Sequence, residues 1–142
     1  MNELKFPDAT AASSAITSQL DAWHLTKESF SNLLKRWEEV SKHLGLKSFS
    51  IVEEQEKFGT GVAYGKPYKV CLRSTVLNDK IFGKVSVVIT SPLVGDPFIA
   101  TEFIVDRRDN FLALDGSPLF RQHDDTASYR IVCEAIFRVI ES

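Results

Sequence analysis

His123-Asp124-Asp125 is the stretch whose residue types most resemble chemistry. An imidazole beside two carboxylates can hold a proton or a divalent cation. A helical pattern begins directly after it, however. Acids at a helix start are favoured by capping and by the helix dipole alone, so capping is the stronger reading. No Gly-x-Ser-x-Gly is present to complete a catalytic triad. His24 and His43 are far from His123 and from both cysteines, and no pair has the spacing of metal ligands. No metal and no cofactor are expected. His43 falls near a helix C-terminus, where partial positive charge suits the dipole.

Gly59-Thr60-Gly61 is too short for a phosphate loop, and Gly65-Lys66-Pro67 runs into a strand rather than opening a helix. Glu102 is more informative. Clean alternation puts Phe98, Ala100, Glu102 and Ile104 on one face of a strand. An acid among those neighbours lines a cavity, pairs with a cation such as Arg73, or faces solvent. The last applies if Ile99, Phe103 and Val105 form the core face. Unpaired buried acids are rare, which favours solvent or a salt bridge. Tyr64, between glycine-rich turns, is the aromatic expected to be exposed and is the first candidate for a partner contact. The candidate contact residues are therefore Tyr64, Glu102, Arg73 and His123.

These residues must be positioned by an antiparallel meander from Tyr68 to Leu114. Tyr68, Val70 and Leu72 alternate with Lys69, Cys71 and Arg73, the period of a half-buried strand. Asn78-Asp79-Lys80 supplies a turn. A strand from Ile81 to Thr90 follows, closed by Ser91-Pro92, then a loop at Gly95-Asp96-Pro97. Phe98–Val105 and a short Phe111–Leu114 complete the run. Links this short require antiparallel neighbours. Phe49 to Lys57 reads as a further strand whose acidic half, Glu53-Glu54-Gln55-Glu56, suits an edge. Val62 to Tyr64 reads as either a short strand or part of a loop.

Two helices precede the sheet. Asp8 caps the first, from Ala9 to about Trp23. Thr26 is the expected N-cap of the second, with Leu25 and Phe30 as a hydrophobic staple. Phe30, Leu33, Leu34, Trp37, Val40 and Leu44 form its apolar stripe, and Gly45 ends it. The short link predicts a helical hairpin. Met1 to Lys5 is expected to be a loose tail, pinned by Phe6. A last helix, Ala127 to about Ile140, is apolar over most of its circumference and bears a narrow strip of Arg130, Glu134 and Arg138.

The expectation is one α+β domain over residues 1–142, with 1–7 as a tail: a helical hairpin, a sheet of four to five strands and a C-terminal helix packed on it. A chain of 142 residues can bury a core without metal or disulfide. A net charge of −2 provides no basic footprint for nucleic acid. Cys71 and Cys133 make no disulfide framework. With neither a secretory signal nor a run of apolar residues long enough for a membrane, a soluble cytoplasmic protein is expected. The functional expectation is a non-catalytic binding or adaptor protein that contacts an unidentified protein and pairs with itself as a homodimer. The alternative is a small-molecule site, enzymatic or not, for an apolar ligand between sheet and helices.

Overall fold

The computed structural model describes residues 1–46, 49–90 and 96–142, and the element order is helix, six strands, helix. Helix α1 runs Ala9–His43, followed by strands β1 (Ser50–Glu53), β2 (Lys57–Ala63), β3 (Lys66–Leu77), β4 (Lys80–Ile89), β5 (Phe98–Val105) and β6 (Phe111–Leu112). Helix α2, Ala127–Glu141, closes the chain. The strands form one antiparallel sheet in sequential order. The expected α+β class and meander are present. The expected strand stop at Ser91-Pro92 and the loop start at Gly95 lie outside the described residues.

The predicted helical hairpin is a single helix of 35 residues. Trp23-His24-Leu25-Thr26 contains neither glycine nor proline, so nothing there forces a break. Thr26 does not cap; its hydroxyl donates to the carbonyl of Ala22 one turn back, at 2.8 Å. The staple is absent for the same reason, and Leu25 is exposed. At the true ends the local signals hold. Asp8 accepts from the N–H of Ala11 at 2.7 Å. Gly45 adopts φ +71°, while the amides of Gly45 and Leu46 donate to Lys42 and Ser41, a Schellman close.

The sheet has six strands rather than four to five, because the stretch read as one strand from Phe49 to Lys57 folds back on itself. Ser50–Glu53 pairs with Lys57–Thr60, and Glu54 to Glu56 form the turn. Residues 57–63, read only at their end as strand or loop, are a full strand paired with β3. Two hairpins close with two-residue turns whose residues all have positive φ: Tyr64-Gly65 and Asn78-Asp79. That conformation matches the right-handed twist of paired strands.

Both helices cover the same face of the sheet. Phe30, Leu33, Leu34, Trp37 and Val40 of α1 and Val132, Ala135, Ile136 and Val139 of α2 pack with Val70, Val85, Val87, Phe103 and Val105. Close approach depends on glycine. A Cβ on Gly83 would lie 2.8 Å from Thr26 Cγ2 and 2.6 Å from Leu72 Cδ1, so only glycine lets α1 settle there. Much of the apolar circumference of α2 is thus covered by the sheet, with Arg36 of α1 bonded to Ser128 and His43 set edge-on to Tyr129. Tyr129 and Phe137 remain exposed, as do Arg130, Glu134 and Arg138. Among the described residues, no helix is long and apolar enough to cross a membrane.

Candidate binding groove

A groove of about 610 Å³ lies between α1 and the β1–β2 turn. Its floor is apolar, made by Trp23, Phe30 and Leu72; its rim carries Glu28 on the helix, Glu53 at the end of β1, and Glu54 and Glu56 on the turn. Trp23 and Leu72 are half-buried, so the floor is open to a ligand. The groove follows from the fold. The unbroken helix places Trp23 beside Leu72 and the β1–β2 turn, and the contact of Thr26 above Gly83 sets the distance between α1 and Leu72.

Lys57 ties the two walls together. Its amine reaches Glu53 at 3.1 Å and Ser31 Oγ at 3.2 Å. His24 Nε2 lies 3.3 Å from Glu28 on the outer wall. Glu54 and Glu56 are exposed and form no ion pair among the described residues. Against four carboxylates the groove is lined by two lysines, Lys27 and Lys57, so it presents apolar surface beside a net negative charge, an arrangement suited to a cation on an aliphatic or aromatic-stacking stem.

A second cavity, about 660 Å³, lies by His123 and is lined in part by Asp106, Asn110, Phe120 and Asp124. Its carboxylates are engaged by its own loops. Asp106 accepts from the amides of Arg108 and Asn110 and from the Asn110 side chain. Asp124 accepts from the amide and hydroxyl of Thr126 and from Arg130 at 2.9 Å. Those bonds hold the Asp124 carboxyl below the usual range, the Thr126 hydroxyl contributing most. Asp124 thus braces the residue before α2 rather than capping the helix as expected: Thr126 occupies the N-cap and makes no side-chain cap bond. His123 is exposed at φ +62°. Among the described residues, no group of three His, Cys, Asp or Glu is placed to hold a metal.

The other candidate contact residues are spread over the surface. Tyr64 is 79% exposed at the tip of the β2–β3 hairpin, with φ +49°. It borders a shallow cavity of about 340 Å³ with Leu44, Leu46 and Val62. Glu102 lies on the sheet face away from the helices, with the Ser86 hydroxyl donating to it at 2.7 Å and Lys84 at 3.9 Å. A β-bulge opposite Val87 and Val88 breaks the alternation of β5 at Ala100. Phe103 and Val105 therefore enter the core, while Ile99 and Glu102 share the outer face. Arg73 is exposed on that face directly across from Lys84 and forms no ion pair with Glu102.

None of Tyr64, Glu102, Arg73 or His123 lines the groove. Leu72 escapes sequence reasoning because it fits a core pattern; Trp23 is a candidate binding-surface aromatic by sequence, but Tyr64, between glycine-rich turns, ranks above it. The usable signal was the acidic run Glu53 to Glu56, which reads as edge protection until the turn is seen beside Trp23. No family model matches the chain, and neither a curated protein nor a solved structure is significantly similar to it.

Proposed function

We propose that the protein is a small binding or adaptor module, without a catalytic step of its own, that works as a homodimer and receives a basic amphipathic segment of a partner protein. The observation that carries this reading is the groove between α1 and the β1–β2 turn. It combines an accessible apolar floor at Trp23 and Leu72 with the unpaired carboxylates of Glu54 and Glu56. A Lys or Arg of the partner would lay its stem on Trp23 and its charge against the turn. The second cavity is the weaker choice because its acids already serve loop amides and Arg130.

The alternative, a small apolar ligand between sheet and helices, has less support. That space is filled by Phe30, Leu34, Trp37, Phe49 and Tyr68, all nearly inaccessible. The proposed reading is tested with a photoreactive side chain at Lys27 in living cells. A discrete cross-linked protein is expected, lost when Leu72→Glu is added and absent when the probe stands at Arg107. Equal products from both positions, or none from Lys27, would count against the groove.

A further inference from the structure

Helix α1 crosses the sheet obliquely. Thr26 sits against Gly83 of β4, while Leu34, two turns on, reaches Gly59 of β2, two strands away. An oblique helix leaves a corner of the sheet on each side of it. Helix α2 fills one, where Arg36 and His43 meet Ser128 and Tyr129. The opposite corner, beside the N-terminal half of α1 and over β3, has no described helix in it. From Arg73 to Leu77, β3 pairs only with β4 among the described residues, so β2 does not extend into this corner.

The walls of the corner are apolar. Gln19, bonded to the backbone of Asp79 and Ile81, and Thr26 mark the line of α1 that faces the sheet. Ile16 and Leu20 precede Trp23 by two turns and one turn, which puts all three on one flank of the helix. That flank also bears Lys27 and lies half a turn round from Arg36, which meets α2. Ile16 is 57% exposed and Leu20 61%. Across from them, Val76 shares the face of Leu72 by the alternation of β3 and is 65% exposed. These side chains continue the floor of the groove from Trp23 and Leu72 toward the β3–β4 turn, and exposed apolar surface this extended marks a binding face.

Charge is confined to one end. Ile16, Thr17 and Leu20 carry none, whereas Glu28, Glu53, Glu54 and Glu56 outnumber Lys27 and Lys57 at the groove. Lys57 is moreover engaged by Glu53 and Ser31. A matching occupant has an apolar face along its length and cations at one end. The place beside α1 runs about 22 Å from Ile16 to Ser31, the length of a helix of about four turns. A helix there satisfies its own backbone and adds a third member to the layer that α1 and α2 form on this face.

We infer that the segment received by the groove is a basic amphipathic α-helix of a partner protein, lying beside α1 in the open corner. Its apolar residues rest on Ile16, Leu20 and Val76, and its Lys or Arg meets Glu54 and Glu56. This rests on the groove reading and deepens it.

The test places a photoreactive side chain at Ile16 and, separately, at Lys27 of the full chain in living cells, and maps the partner residue trapped from each by mass spectrometry. The two positions are about 16 Å apart along α1. One partner is expected from both, with trapped residues about 11 apart in its sequence, the number a helix needs for that distance. Lys or Arg should flank the residue trapped from Lys27. Adding Val76→Glu, at an exposed position and with the fold checked by circular dichroism, should lower the yield from Ile16 about tenfold, the loss of roughly one buried apolar side chain. Trapped residues only about 5 apart would mark an extended segment, as would pairing with the open edge of β3, and overturn the helix. Product from Lys27 alone, a trapped segment without Lys or Arg, or an Ile16 yield unchanged by Val76→Glu overturns the inference and leaves the groove standing. No product from either position overturns both.

Discussion

Trp37 donates its indole N–H to the hydroxyl of Tyr68 at 2.9 Å, joining the middle of α1 to β3 inside the core. Neither ring is more than 2% exposed, and Phe49 stacks on Trp37 at 5.7 Å between centroids. Burial pushes the Tyr68 phenol above its ordinary value, against the opposing effect of this bond. Tyr68→Phe leaves a buried donor without a partner and should cost about 1–3 kcal/mol. Trp37→Ala also empties a large volume and should cost about 3–5 kcal/mol. Urea titrations followed by circular dichroism measure both. Losses within about 0.5 kcal/mol would mean that this face of α1 is solvated.

Gly83→Ala tests the seat of α1. The added methyl meets Thr26 Cγ2 at 2.8 Å and Leu72 Cδ1 at 2.6 Å, so helix or strand must move. A loss of about 1–3 kcal/mol is expected. Thr26→Ser removes one of the colliding methyls and should recover part of that loss in the double variant. Strict additivity of the two substitutions would show that they do not meet.

Cys71 and Cys133 are free thiols, each half-buried. Burial raises both above the ordinary thiol value, outweighing Lys69 and Arg73 near Cys71 and Tyr129 near Cys133. Alkylation by iodoacetamide at mildly alkaline pH should therefore be slower in the native protein than in the urea-unfolded chain. The sign for stability follows: the folded state holds these protons more tightly, so stability falls as pH rises above the unfolded thiol value. Equal native and unfolded alkylation rates would contradict both statements.

Asp124 provides the acid-side test. Its folded value is depressed, by Thr126 first and Arg130 after it, so its support for α2 is present above the ordinary carboxylate value. That support is lost as pH falls through the lower folded value. Amide exchange in the first turn of α2 should quicken in acid relative to the rest of the helix, after correction for intrinsic exchange. Asp124→Ala should show that looseness already at neutral pH. A first turn equally protected in the variant would remove Asp124 from this role.

The sequence by itself determined the local pieces. The Asn78-Asp79 turn, Phe98–Val105, the cap at Asp8, the stop at Gly45 and the start of α2 were all legible. The turn, the cap and the stop rest on backbone conformation and hydrogen bonds between residues a few positions apart, and the residue types there admit few other solutions; the strand is marked by its apolar content and the turn residues around it. What only the tertiary structure decided lies where local signals were permissive. Thr26 can cap a helix or continue one; continuity won because its methyl fits over Gly83 from another part of the chain. Glu102 could face either way by alternation; the packing of Phe103 and Val105 into the core turned it outward, and the bulge at Ala100 lets Ile99 face out with it. The groove arises from both kinds of choice, since it exists only when an unbroken α1 carries Trp23 past a turn that sequence alone reads as the end of a strand. Spacing along the chain carries information about neighbours in the chain; distances between α1, β1 and β3 are set by packing, which no single segment encodes.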